Sequence, residues 1–195
     1  IQVMARYNLS LVNGVNTSDL YIGNDIQTIT DRLGLTTKKC VHQGKSYNIT
    51  RYKKSDLKTD SIHTSGLFRS VVSKDGNIHV FSPPKGLTFR EFMKVHPLNE
   101  CVIEEYIEGT MINLFFDEEW EIATRSNVGG TNNFFQKDDE CNFRRMFLEG
   151  SNNANLDFDT LDKDLCYSFV LQHPKNRIVT PIYETKIYLV ACYRI

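Results

Sequence analysis

The chain has 195 residues, of which 41% are hydrophobic and 24% are charged, and this composition is typical of a globular protein. The formal net charge of -1 excludes a globally basic nucleic-acid-binding protein, so any contact with nucleic acid requires a local basic patch. The five cysteines are odd in number and lack CxxC spacing, which argues against a zinc knuckle or a disulfide framework and favours reduced thiols in an intracellular compartment. No apolar stretch approaches the roughly 18 residues of a membrane span, so no membrane partner is expected.

The first predicted element is a helix near the start of the chain. Ser18 is a suitable N-cap and Gly34 a suitable C-terminal stop. Apolar side chains recur between them at near-helical spacing, at Ile22, Ile26, Ile29 and Leu33.

From residue 47 onward, short β-branched and aromatic runs alternate with turn signals, which predicts strands. These strands cover residues 47–52, 67–73, 77–82, 101–107, 110–116 and 120–124, with two more near 166–172 and 177–192. Asp75 and Gly76 predict a hairpin turn. Short helices are expected after Thr88, which can cap one, and over residues 137–149, ended by Gly150 and followed by a loop over 151–160. This order predicts an α+β fold with antiparallel sheets and a few short helices.

Residues 104–113, with the sequence EEYIEGTMIN, carry the most information about chemistry. One predicted strand runs into Glu108 and Gly109, and another continues from Thr110. A glycine at this point allows the backbone to turn sharply or to approach a ligand closely. On spacing alone, a plain hairpin turn explains the segment equally well.

This segment resembles the lysine-x-aspartate-glycine-serine motif of covalent nucleotidyltransferases, in particular the bacteriophage-type ATP-dependent RNA ligases. Further stretches resemble other motifs of that family in the same order: RSVVSKDGN at 69–77 with PPK at 83–85, TRSN at 124–127, and FVLQHPKNRIV at 169–179 with YETKIYLV at 183–190. The resemblance covers about residues 60–195. It implies a nucleotidyltransferase (ATP-grasp-like ligase) fold, as a single domain over 1–195 to which residues 1–40 can add a small appendage.

The resemblance also implies a chemistry that this chain lacks in part. In the family, a lysine attacks the α-phosphate of ATP with the help of a divalent metal and forms a lysine–AMP intermediate. Tyr106 occupies the position of that lysine, and a phenol cannot form a stable phosphoramidate. Val170 occupies the position of the third-motif glutamate. ATP and Mg²⁺ are therefore expected as cofactors only if the family activity is retained.

The resemblance brings a set of residues toward one nucleotide- and phosphate-binding pocket, and this set is Arg69, Lys85, Glu104, Glu108, Gly109, Arg125 and Arg177. No catalytic residue is assigned, because the nucleophile position is Tyr106. The spacing of the histidines predicts no metal site, although His173 lies beside the third motif. The basic stretch over 38–58, which includes Arg51, can track phosphates, but a solvated strand face explains it better.

Three functions remain open at this point. The first is a catalytically degenerate RNA-ligase-like domain, a pseudoenzyme that binds nucleotide or RNA. The second is an active ligase that uses a different nucleophile. The third is a scaffold component of a larger assembly that has kept the ligase fold. The last two family motifs would lie beyond Val190, so they are expected to be missing or supplied by another protein that completes the pocket.

The style of the sequence also resembles that of proteins from large DNA viruses. This likeness implies a viral protein that acts in the cytoplasm or nucleus of a host cell, or in the virion.

Overall fold

The computed structural model describes residues 33–58, 61–62, 64–133 and 141–195, and they form two four-stranded antiparallel sheets and two α-helices. The strands of the first sheet are β1 (Leu35–His42), β2 (Lys45–Tyr52), β3 (Val71–Lys74) and β4 (Asn77–Phe81), in the spatial order β1-β2-β3-β4. The strands of the second sheet are β5 (Thr110–Asp117), β6 (Glu119–Ala123), β7 (Leu165–Gln172) and β8 (Lys186–Arg194), in the order β6-β5-β7-β8. Helix α1 (Phe89–Val95) precedes β5, and helix α2 (Phe143–Asn153) lies between β6 and β7 along the chain. The predicted α+β class is therefore confirmed.

The second sheet is covered on both faces, because alternate side chains of a strand point in opposite directions. Ile112 and Leu114 of β5 pack in one cluster with Phe147 of α2. Phe115 follows Leu114, so its side chain points to the opposite face of β5. It packs with residues of the first sheet such as Tyr47 and is 1% exposed. The layers therefore follow the order first sheet, second sheet, helix α2.

Two local predictions are confirmed with the geometry that the sequence suggests. Asp75 and Gly76 join β3 to β4 with positive φ values of 49° and 86°, as a two-residue hairpin turn of the primed type requires. Thr88 caps α1 through a reciprocal pair of hydrogen bonds with Glu91, which satisfies backbone donors of the first turn.

Other predicted boundaries are wrong for physical reasons. Residues 101–107 form no strand, because the segment finds no ladder partner and Val102 and Ile103 are each 86% exposed. Helix α2 continues through Gly150 instead of ending there, and a Cβ at that glycine would lie 2.7 Å from Ile187 Cγ2 of β8. The glycine thus serves close packing of the helix on the sheet.

Other differences concern where elements begin. Strand β1 was not predicted, β3 begins only at Val71, and β8 begins at Lys186 instead of near 177. The helix predicted between Ser18 and Leu33 lies outside the described residues, apart from a turn at its end, and so do residues 137–140 of the second predicted helix. None of the described helices has the length and apolar character that crossing a membrane requires.

A buried carboxylate ties the two sheets together where β5 turns into β6. Asp117 is 7% exposed, and its oxygens accept hydrogen bonds from Lys74 Nζ at 2.7 Å and from the Tyr47 hydroxyl at 2.7 Å. Both donors belong to the first sheet. Burial raises the pKa of Asp117, but the hydrogen bonds from Lys74 and Tyr47 outweigh it, so the pKa lies below its ordinary value.

We expect Asp117→Asn to lower the free energy of unfolding by about 3 kcal/mol, because it leaves the mostly buried charge of Lys74 without its carboxylate. Because the pKa of Asp117 is lowered, its contribution is present above the ordinary carboxyl pKa of about 4 and is lost as the pH falls through the lowered value. Urea unfolding as a function of pH measures both effects, and the variant should show the smaller acid loss. Glu118→Gln, at a neighbour that is 77% exposed, is the matched control and should cost less than about 1 kcal/mol. Equal losses in the two variants would contradict the prediction.

Candidate functional site

The strand ends that border the motif-like segments lie at one end of the second sheet. Thr110 at the start of β5 pairs with Leu171 near the end of β7, and Gln172 pairs with Lys186 at the start of β8. The segments just outside these strands, 104–109 and 173–185, are therefore neighbours in space although they are far apart in sequence. We call this end of the structure, together with the adjoining end of the first sheet, the motif end.

A buried polar chain joins the two sheets at the motif end. The Asn113 side chain of β5 donates from Nδ2 to Ser82 Oγ at 2.9 Å and accepts at Oδ1 from Ser168 Oγ at 2.7 Å. All three residues are at most 2% exposed. A buried amide with both ends satisfied has one preferred orientation, so this chain fixes the end of β4 against β5 and β7.

Glu108 acts as a clamp on the loop that follows β7. Its carboxylate accepts hydrogen bonds from the Val179 backbone N–H at 2.7 Å, from the Thr180 backbone N–H at 3.0 Å and from the Thr180 hydroxyl. Its own carbonyl accepts from Gln172 Nε2 at 2.9 Å. The hydrogen bonds from Thr180 and Val179, and after them the charge of Arg177, lower the pKa of Glu108.

A second contact joins the same two segments. Asn176 donates from Nδ2 to Thr110 Oγ1 at 2.8 Å, and both side chains are buried. Asn176 closes the 3₁₀ turn Pro174–Asn176, whose N-cap is His173. His173 Nδ1 accepts from the Lys175 backbone N–H at 3.0 Å, and its Nε2 lies 3.4 Å from a Glu149 oxygen of α2. His173, which the sequence placed beside the third motif, thus holds the turn against the helix.

Gly109 allows the two segments to meet. Its φ is +152°, and a Cβ there would lie 2.5 Å from the Leu171 carbonyl oxygen and 2.7 Å from Val170 Cγ1. No side chain fits between these strands, so glycine is required for the chain to enter β5 beside β7. The close approach suggested by the sequence is therefore present, and its partner is a neighbouring strand of the same chain.

Tyr106 and Val170 are the residues at which the resemblance to the ligases implies a lost nucleophile and a lost carboxylate. Tyr106 is 89% exposed in the extended segment before β5. Val170 is 6% exposed and contributes an apolar side chain beside Gly109. The carboxylate of Glu108 is already engaged by the loop that it clamps. Among the described residues, no group of three or more His, Cys, Asp and Glu side chains could hold a metal ion.

A cluster of arginines occupies the other part of the motif end. Arg125 follows β6, and its guanidinium carbon lies 5.5 Å from the centre of the Tyr52 ring. Its carbonyl accepts a hydrogen bond from Ser70 Oγ at 3.3 Å, and Arg69 precedes Ser70 in the chain. Arg51 precedes Tyr52 on β2 and is close enough to Arg125 that its charge helps to lower the pKa of Arg51, after the larger effect of burial. We call Arg51, Tyr52, Arg69 and Arg125 the arginine cluster.

The structure therefore brings the predicted site residues into two groups and leaves two residues apart. Arg69 and Arg125 lie in the arginine cluster, whereas Glu108, Gly109 and Arg177 lie at the clamp. Lys85 is exposed and donates from Nζ to the carbonyl of its neighbour Gly86 at 3.0 Å. Glu104 is exposed in the segment before the clamp.

Sequence reasoning did not place Arg51 and Tyr52 in this set. Both residues lie at the end of β2, and the packing of the two sheets brings this end beside Arg125, which follows β6. The only available signal was their place in the basic stretch over 38–58, which is equally typical of a solvated strand.

A cavity of about 260 Å³ opens on the helix side of the second sheet, and its lining residues are Cys141, Arg145, Met146, Glu149, His173, Pro174, Lys175 and Thr185. Glu149 accepts a hydrogen bond from Thr185 Oγ1 at 2.5 Å. The hydrogen bond from Thr185 lowers the pKa of Glu149. Burial raises this pKa and the contact with His173 lowers it, so the pKa lies below its ordinary value. The carboxylate is thus committed to holding α2 against the segment before β8.

Comparison with known proteins gives a distant relationship. No protein-family model matches the chain. The chain is similar to the immediate-early protein ICP-46 of Frog virus 3 (isolate Goorha), with 26% identity over 183 residues that cover 85% of this chain. The chain spans 42% of the length of that viral protein.

We expect Gly109→Ala to destabilise the protein by about 3 kcal/mol, because the new Cβ must displace the backbone of β7 at Leu171. Chemical denaturation measures this loss. Gly76→Ala is the matched control, since it has a positive φ of 86° but no atom within 4 Å of the added Cβ, and it should cost about 1 kcal/mol. A loss at Gly109 no larger than that at Gly76 would mean that β7 moves aside without difficulty.

We expect Glu108→Ala to speed hydrogen exchange at the Val179 and Thr180 amides, since it removes their acceptor. Because the pKa of Glu108 is lowered, the protection that it gives should persist down to the ordinary carboxyl pKa and disappear as the pH falls through the lowered value. Amide exchange followed by NMR tests both points, with Glu104→Ala as the control carboxylate in the same segment. Unchanged exchange in Glu108→Ala would show that the loop is held by other contacts.

Proposed function

We propose that this chain is a nucleotide-pocket domain of the RNA-ligase type that has lost covalent chemistry and binds nucleotide or RNA through its motif end. The fold of such a domain would be the nucleotidyltransferase fold. No step of this function involves Mg²⁺, and ATP is only a ligand. Binding rests on the arginine cluster.

One observation carries this proposal, namely the contact between segments 104–113 and 169–179. These are the stretches that resemble the first and third motifs of the ligases. Glu108 with Val179, and Thr110 with Asn176, join them by hydrogen bonds between residues that lie 71 and 66 positions apart in sequence. A chance resemblance of two separate stretches would not require them to meet at these positions.

The changes at the reactive positions support loss of covalent chemistry. Nucleophilic catalysis of this type needs an amine with a lowered pKa next to groups that stabilise charge on the phosphate. Tyr106 is a solvent-exposed phenol, and Val170 is an apolar side chain at the position of a carboxylate. Binding requires neither position, whereas it does require positive charge, which Arg51, Arg69 and Arg125 supply.

The likeness to an immediate-early protein of a frog virus supports a viral setting for this function. We propose that the chain acts in the infected host cell. Because it spans less than half of the viral protein, another part of a longer polypeptide, or another protein, can complete the nucleotide pocket.

Two measurements on one preparation test the proposal. With ATP labelled at the α-phosphate and Mg²⁺, denaturing electrophoresis should show no covalent adduct on the chain. Filter binding of labelled ATP and of a single-stranded RNA should show retention at moderate salt. Arg125→Ala should weaken this retention about 10-fold, because a charge-assisted hydrogen bond to phosphate contributes about 1.5–3 kcal/mol.

Lys39→Ala, at an exposed lysine of β1, is the matched control for loss of one positive charge and should leave binding nearly unchanged. A covalent adduct that persists in Tyr106→Phe but disappears in Lys85→Ala would overturn the proposal and favour an active ligase with another nucleophile. Absence of binding to either ligand would favour a scaffold that has kept only the fold.

A further inference from the structure

Residues 101–107 form an exposed segment whose backbone is free to pair with a strand. No turn or bend interrupts the segment, and no backbone N–H or C=O of residues 102–107 forms a hydrogen bond with a described residue. Val102 and Ile103 are each 86% exposed, and Tyr106 is 89% exposed. An unbent segment with β-branched and aromatic side chains has the composition of a strand and lacks only a partner.

Two adjacent negative charges lie in the middle of this segment, which we call the acidic segment. Glu104 and Glu105 are both exposed, and neither forms an ion pair with a described residue. If the acidic segments of two copies paired with each other in an antiparallel manner, Glu104 would lie opposite Glu104. Like charges directly opposite each other destabilise a strand pair. The acidic segment therefore suits a partner strand that carries positive charge.

The edge strand β1 carries such a charge. It pairs with β2 along its whole length, without a register shift, and with no other described strand, so its outer edge is open. Lys38 and Lys39 lie in the middle of β1, and both are exposed and form no ion pair within the described part of the chain. Lysines on an edge strand discourage pairing with a neutral or basic strand, but they attract an acidic one.

The other edge strands that the structure describes do not match the acidic segment. Strand β4 contains no lysine or arginine, and the charged residues of β6 are both glutamates. The two cations of β8 are already paired, because Lys186 lies 2.8 Å from Glu184 and Arg194 lies 3.1 Å from Asp162. Among these edges, β1 is therefore the one that fits by charge.

We propose that the acidic segment of one copy of this chain adds to the outer edge of β1 in a second copy, as an additional antiparallel strand. The register that places Glu104 opposite Lys39 also places Glu105 opposite Lys38. Each copy thus offers one acidic segment and one basic edge. None of these residues belongs to the arginine cluster, so the contact does not depend on the proposed function.

The side chains that flank the charges support this register. Two positions before Glu104, the exposed Val102 would lie opposite Val41, which is 68% exposed on β1. Two positions after Glu104, Tyr106 would lie opposite Thr37, and pairs of aromatic and β-branched side chains stabilise sheets. The complementarity therefore extends over the whole segment, and both of its halves are present in this one sequence.

Sedimentation equilibrium of the full chain at micromolar to millimolar concentrations tests the contact. The average mass should rise with concentration, either to a reciprocal dimer or to longer chains, because the contact joins two different surfaces. High salt should weaken the association, since it screens exposed charges. The double variant Glu104→Lys/Glu105→Lys should weaken it at least about 10-fold, because two attractive cross-strand pairs become repulsive.

A charge exchange separates this contact from general attraction. Lys38→Glu/Lys39→Glu should also abolish self-association, and an equimolar mixture of the two double variants should restore it. Hydrogen exchange at the amides of residues 102–107 should slow in wild type and in the mixture as concentration rises, but not in either variant alone. Lys54→Glu/Lys58→Glu reverses two exposed lysines outside β1 with the same change in net charge, and it should associate as wild type does.

Three results would overturn the inference. The first is a wild-type chain that stays monomeric at millimolar concentration. The second is association that Glu104→Lys/Glu105→Lys leaves unchanged, and this variant lies outside every described strand, so it decides the matter even if the β1 variant fails to fold. The third is protection of residues 102–107 that does not depend on concentration, which would mean that the acidic segment is covered within its own chain.

Discussion

Just before β5 begins, the chain must pass within van der Waals distance of the β7 backbone. Gly109 makes this passage possible, because any Cβ would meet the Leu171 carbonyl oxygen. Once the two strands are this close, Glu108 reaches the amides of Val179 and Thr180, and Thr110 reaches Asn176. The geometry of the motif end therefore depends on one steric constraint. Because the strands are close, the hydrogen bonds of Glu108 and Thr110 can hold the loop after β7, which lies about 70 residues away in sequence.

Glu108 has a different role in the structure from the one that the sequence suggested. From sequence, Glu108 is a pocket carboxylate with a longer reach than aspartate. In the structure it is used internally, since backbone N–H groups and a hydroxyl satisfy its oxygens. A carboxylate in this state stabilises its own loop and is less available to a ligand. The arginine cluster also lies at the motif end, so under the proposed function this end recognises a negatively charged ligand without reacting with it.

Buried polar groups elsewhere follow a different rule from the arginine cluster. Asp117 is matched by Lys74 and Tyr47, and Asn113 by Ser82 and Ser168, so these groups fix the two sheets in one register. Among the described residues, by contrast, no carboxylate forms an ion pair with Arg51 or Arg125.

The sequence by itself determined the features that depend on neighbouring residues. These are the α+β class, the Asp75-Gly76 hairpin and the cap at Thr88, since turns, caps and strand periodicity depend on residues within a short stretch. It could not exclude a strand over 101–107, because whether an apolar run pairs depends on a partner strand elsewhere in the chain. Only the tertiary structure decided that Glu108 binds residues 179–180, that His173 contacts Glu149 of α2, and that Arg125 lies over the ring of Tyr52 in the other sheet. Each of these contacts joins residues more than 20 positions apart or crosses between sheets, and the packing that sets such distances is not encoded in local spacing.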